Sequence, residues 1–166
     1  MSGNRDIALY AVFTSLALVL SYFEAMLPPF IVAVPGIKLG LANIVVIIFL
    51  YLRPSKYALF INLTRILIMS VAFSGVFGLI YSFSGAILSF LVMLIFKKSN
   101  LFGIIGVSTV GSVFHNIGQI FVAAVVLQSS KLFLYMPVLI ISGVVSGIIT
   151  GFIAGGCIAR LKVGGI

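Results

Sequence analysis

The chain has 166 residues, 63% of them hydrophobic and 7% charged, with a mean hydropathy of +1.39. A soluble domain of this length has no interior able to hide so much apolar surface, so the composition selects an integral membrane protein of a single domain, residues 1–166. The formal charge of +8 would suggest nucleic acid in a soluble chain. Here the basic residues gather at the ends of apolar runs, where they report orientation and contact with anionic lipid.

A spanning helix needs about twenty apolar residues, and the sequence divides into six such segments. The first is residues 7–27; its length, and the spans that follow it, set it apart from a signal peptide. Residues 28–43 (PPFIVAVPGIKLGLAN) hold three of the five prolines together with Gly36, Lys38 and Gly40. Proline and glycine interrupt a helix, and lipid does not tolerate unpaired backbone. This stretch is therefore expected to fold back as a re-entrant or capping loop over a polar pocket. Span two, residues 39–52, is short. The basic turn Arg53-Pro54-Ser55-Lys56 follows, with Ser55 suited to cap the next helix. Span three covers residues 56–73, a small-residue turn residues 74–78, span four residues 79–96, span five residues 101–127 and span six residues 132–159. These runs are too long for barrel strands and lack strict alternation, so the fold class is an all-α membrane bundle.

Six spans place both termini on one side. With the N-terminus inside, Arg5, Arg53, Lys56, Lys97, Lys98, Arg160 and Lys162 are all cytoplasmic, against Lys38 and Lys131 outside. This bias predicts N-in, C-in, with the capping stretch on the outer face.

Ionisable groups at membrane depth are costly and mark functional sites by default. Arg65 lies about nine residues from either end of span three, near the midplane at 1.5 Å per residue, with Asn62 three residues earlier on the same face. His115, Asn116 and Gln119 share one broad face of span five. Glu24, Lys38 and Asn43 fall at or above the outer half. The predicted substrate site is Glu24, Lys38, Asn43, Arg65, His115, Asn116 and Gln119. With His115 neutral it carries about one net positive charge, which favours an anionic or carboxylate-bearing ligand, and Arg65 can grip two oxygens at once. The bland alternatives are that Glu24 neutralises Arg65 or Lys38, and that the amides and His115 glue helices together. A proton relay through Glu24 and His115 is a further alternative.

Gly143, Gly147, Gly151 and Gly155 recur every four residues in span six, overlapping G-x-x-x-G spacing that lets another helix approach closely. Ala11 and Ser15 form a weaker small-residue pair on span one, a candidate docking stripe for a partner subunit. Cys157 is the only cysteine, which excludes an internal disulfide and a multi-cysteine metal site. No phosphate-binding glycine–lysine loop or nucleophile elbow occurs. The only acids, Asp6 and Glu24, are expected at opposite faces, so magnesium-dependent diphosphate chemistry, which needs clustered carboxylates, is not expected. The chain reads as a non-enzyme without a cofactor or metal of its own.

Three motifs carry a resemblance: PGIKLGLANI at residues 35–44, NLTRIL at residues 62–67 and FHNIGQI at residues 114–120. Together they resemble the Gx transporter family, whose members are labelled heptaprenyl diphosphate synthase component I, over roughly residues 7–159. That family is related to the substrate-binding S components of energy-coupling-factor transporters. The resemblance implies a six-helix bundle that binds a vitamin-like ligand near the outer face, under the loop after helix one. It implies partners: a membrane coupling subunit, met at a helix-one Ala-x-x-x-Ala stripe to which Ala11 and Ser15 are the nearest match, and two ATPases that use the ATP. The expected location is a prokaryotic cytoplasmic membrane. A second context implied by the resemblance is a non-catalytic membrane component of prenyl-quinone synthesis or flavin-linked extracellular electron transfer, with a quinone-pathway or flavoprotein partner.

Overall fold

The computed structural model describes residues 2–26 and 40–163, with side chains from residue 6 onward. Among these residues the ordered elements are helical: α1 (Ser2–Met26), α2 (Leu41–Leu52), α3 (Ser55–Met69), α4 (Gly75–Ser99), α5 (Ile104–Val126) and α6 (Met136–Val163), with a π-turn at Ser70–Ser74 and a 3-10 turn at Ser130–Tyr135. Four runs are long and apolar enough to cross a membrane: Asp6–Met26, Ser55–Ser99, Ile104–Val126 and Ser130–Val163. Of the expected capping loop, residues 28–43, residues 28–39 with Lys38 lie outside the described residues, and Leu41–Asn43 belong to the first turn of α2 instead.

The run Ser55–Ser99 is 45 residues long, about 68 Å if straight and so twice what a bilayer requires. It is not straight. The π-turn ends at Gly75, whose φ of 63° and ψ of −166° fall in a region that only glycine enters cheaply. The reversal sits at residues 70–75, earlier than the expected 74–78, because the π-turn and Gly75 make it, whereas Gly78 is inside α4. Lys97, near the end of α4, donates to the Leu50 carbonyl and lies 5.2 Å from the Tyr51 ring centroid. Leu50 and Tyr51 precede the start of α3 by one tight turn, so α4 runs back antiparallel to α3. At that turn Pro54 takes the N-cap position and Ser55 is the first helical residue, with no side-chain cap.

The shortest helix is the centre. Eight of the twelve α2 residues are buried, the pattern of a helix apolar on every side and enclosed by others. α1, α3 and α6 pack around it. Phe49, Ile47 and Leu50 join Ala17, Ala58, Ile61, Phe90, Met93, Val107, Ala154 and Ile158 in one cluster fed by all six helices. At one end of the bundle Arg53 meets Asp6 at 3.6 Å and Tyr10 stacks on Tyr57 with ring centroids 4.2 Å apart.

In lipid, apolar burial does little to hold helices together, and close packing takes over. Three members of the glycine stripe on α6 permit that approach. A methyl group at Gly143 would sit 3.0 Å from Val113 Cα, at Gly147 2.5 Å from Thr109 Cα, and at Gly151 2.8 Å from Ile105 Cα. The neighbour is α5 of the same chain, and Ser108 and Thr150 hydroxyls bond across the seam at 3.0 Å. Gly155 stands apart: nothing lies within 4 Å of a methyl built on it, because the helices have diverged past the Ile105 end of α5. Gly147→Val should destabilise the detergent-solubilised protein by about 1–3 kcal/mol through overpacking, whereas Gly155→Ala should be neutral or stabilising by up to about 1 kcal/mol. Thermal unfolding of the two variants side by side checks this.

Candidate ligand-binding site

At the end of the bundle away from Asp6 and Arg53, helical spacing gathers polar side chains onto inward faces. Ser21 and Ala25 are four apart on α1; Asn62, Arg65, Ile66 and Met69 follow i, i+3, i+4, i+7 on α3; Ser112, His115 and Asn116 follow i, i+3, i+4 on α5. With Glu24, Gly40, Asn43, Ser70, Phe73, Ser74, Ser82 and Ser146 they line a cavity of about 160 Å³. One part of the lining is apolar, formed by Ile66, Met69 and Phe73. The remainder is hydroxyl, amide and charge.

Arg65 is held by neutral oxygens. Its Nη1 donates to Ser21 Oγ at 3.1 Å and its Nη2 to Asn62 Oδ1 at 2.7 Å. A guanidinium has five N–H donors; among the described residues the buried Nε–H has no partner. Glu24 does not pair with Arg65. Its Oε1 accepts the Gly40 N–H at 2.6 Å, at the point where α2 begins. Gly40 has φ 75° and offers no side-chain cap, so the Glu24 carboxylate takes the place of one, with favourable charge at the positive end of the helix. It also ties the end of α1 to the start of α2, sixteen residues apart. Asn116 Nδ2 donates to the Leu139 carbonyl at 2.8 Å, bridging α5 to α6 while lining the cavity.

Of the residues expected at the site, Glu24, Asn43, Arg65, His115 and Asn116 meet around this cavity. Gln119 does not line it. It packs into the α4–α5 crossing beside His115, where a methyl on Gly85 would meet the His115 carbonyl oxygen at 2.7 Å and Gln119 Cγ at 2.8 Å. Lys38 lies outside the described residues. Asn62, buried and bonded to Arg65, belongs to the lining although it was not among the residues expected there. Its spacing from Arg65 was the available signal. Ser21 and Ser112 carried none beyond their i−3 or i+4 relation to other lining residues. Ala11 and Ser15 are exposed on the outward side of α1, in a shallow groove with Ile7, Tyr10, Thr14 and Phe60, and the Ser15 hydroxyl turns back to the Ala11 carbonyl at 2.9 Å. Among the described residues, no three His, Cys, Asp or Glu side chains gather as a metal site would require.

A family model described as heptaprenyl diphosphate synthase component I matches residues 13–157. No curated protein and no solved structure matches the chain.

The Asn62–Arg65 bond is a charge-assisted contact inside the bundle, and removing the acceptor strands a buried N–H. Asn62→Ala should therefore cost about 1.5–3 kcal/mol of stability, and Asn62→Asp, which restores an acceptor and adds a countercharge, should recover most of it. Denaturant unfolding of the purified variants measures both.

Proposed function

This chain belongs to the heptaprenyl diphosphate synthase component I family, and from that premise we propose that it is a non-catalytic, substrate-binding membrane subunit for uptake of a small anionic or polar organic compound. The observation that carries the reading is the cavity itself, with an Arg65 guanidinium oriented by Ser21 and Asn62 and its buried Nε–H unpartnered among the described residues. A guanidinium so placed can grip an anionic group with the donors that remain to it. Asn43, His115 and Asn116 orient the rest of the molecule. Lys38 is a further ligand to its negative group.

The topology proposed is six spans, N-in and C-in, in a prokaryotic cytoplasmic membrane. The antiparallel return of α4 on α3 supports counting the 45-residue run as two spans, and the enclosed α2 supplies the remaining one. The basic turn at Arg53 and the ends of α4 and α6 then face the cytoplasm, and the cavity opens toward the outside. Energy would come from a coupling subunit and ATPases of the energy-coupling-factor type, with Ala11 and Ser15 on the exposed face of α1 as the docking stripe. The acids Asp6 and Glu24 sit at opposite ends of the bundle, one on Arg53 and one at the cavity, which supports a non-catalytic role, since magnesium-diphosphate chemistry needs carboxylates together.

The family description favours a second reading, a membrane component of prenyl diphosphate metabolism with a synthase or flavoprotein partner. The cavity weighs against a whole prenyl diphosphate as occupant. A 150 Å³ cavity accommodates benzene, and a prenyl chain is many times larger. Co-purification with a soluble prenyl synthase, and without ATPases, would favour this second reading.

Native mass spectrometry of the detergent-purified protein should reveal a bound small molecule, absent or at least tenfold depleted in Arg65→Ala; undiminished ligand in that variant removes Arg65 from the site. On a Cys157→Ala background, Ser130→Cys should react with an impermeant maleimide on intact cells, and Ser99→Cys only after lysis. The opposite pattern overturns the orientation.

A further inference from the structure

Two opposite charges line one small cavity, and each is held by neutral groups instead of by the other. Glu24 is engaged by the Gly40 N–H, Arg65 by Ser21 and Asn62. The ion pair found among the described residues is Arg53 with Asp6, at the far end of the bundle. Attraction between opposite charges is strong in a low-dielectric interior, and α1 and α3 pack against each other, so a direct Glu24–Arg65 bridge would be the default outcome for two long side chains so placed. The neutral partners keep the charges at separate stations on the cavity wall.

From this arrangement we infer that the cavity takes a small zwitterion, its anionic end on Arg65 and its cationic end on Glu24. The inference rests on the reading of the cavity as a ligand site and names the ligand's chemical class. An occupant bearing only a negative charge would satisfy Arg65 and bring a like charge up to Glu24. One bearing only a positive charge would do the reverse. Either forgoes one of the two ionic contacts and sets like charges against each other in a low-dielectric site. A dipolar ligand satisfies both stations and keeps the filled cavity neutral with respect to this pair. The cavity of about 160 Å³ is comparable with the 150 Å³ that holds benzene, so a small body fits within it. Ile66, Met69 and Phe73 give the wall against which a short apolar body can lie. An amino acid, α or ω, has the required charges and dimensions.

The test uses the full chain in nanodiscs, with glycine, leucine and γ-aminobutyrate as probes. Each is titrated beside its deaminated acid (acetate, isocaproate, butyrate) and its carboxamide (glycinamide, leucinamide, γ-aminobutyramide), by calorimetry and thermal shift. At least one zwitterion should bind at least tenfold more tightly than both of its singly charged counterparts. Glu24→Gln, which keeps an acceptor for the Gly40 N–H and so the α1–α2 tie, should weaken that zwitterion about ten- to hundredfold and bring it level with the deaminated acid. Arg65→Gln should bring it level with the carboxamide. A deaminated acid that binds as well as its parent, or a zwitterion affinity unchanged in Glu24→Gln, overturns the inference and leaves the binding-subunit reading standing. If none of the probes binds, the ligand carried through purification decides: a compound with both a basic nitrogen and an acid group supports the inference, one lacking either overturns it, and the absence of any bound compound overturns both readings together.

Discussion

A guanidinium inside an apolar bundle has to be surrounded by oxygen, and Arg65 is surrounded from two helices. Ser21 on α1 and Asn62 on α3 accept from its two terminal nitrogens. These bonds fix the direction of a side chain that would otherwise have four rotatable bonds to spend, and they join α1 to α3 on the side where the cavity opens. Because these acceptors are neutral, the guanidinium is positioned by hydrogen bonds and not by a direct ion pair among the described residues.

The second tie works on the same principle with the sign reversed. Glu24 places its carboxylate on the amide of Gly40, the residue just before α2, where helix polarity favours negative charge. α2 begins at a left-handed glycine with no side chain to cap it, so the cap is supplied from another helix. The position of α2 therefore depends on α1 at one end. At the other end it depends on Lys97 of α4, which donates to the Leu50 carbonyl among the last unpaired acceptors of α2. A twelve-residue helix is too short to be stable alone. It persists here because it is clamped at both termini and packed on all sides.

The packing that leaves a hollow on one side of the bundle closes it on another. Along α5, the face bearing Ile105, Thr109 and Val113 lies against the α6 glycines at a separation that excludes a methyl group, while Gly118 is equally close to Gly85 of α4. α5 is thus gripped from two directions. Ser112, His115 and Asn116 line the cavity between these two grips. His115 and Gln119 both pack at the Gly85 crossing, but of the two only His115 also reaches the cavity wall.

The sequence alone determined the membrane class, the helical character and the approximate extent of each helix, because composition and run length are local properties that lipid enforces strictly. It also marked Arg65, His115 and Asn116 as unusual, since ionisable and amide groups at such depth need a reason. Spacing in the α6 glycines showed a close neighbour, but the identity of that neighbour as α5, and the exclusion of Gly155, depended on where two helices cross. Asn62 shared a face with Arg65 in the sequence, but that it bonds the guanidinium and lines the cavity depended on the fold. Above all, tertiary structure decided that Glu24 binds a backbone amide in preference to Arg65. Pairing of charges is a matter of three-dimensional distance between α1, α2 and α3, and no one-dimensional spacing encodes it.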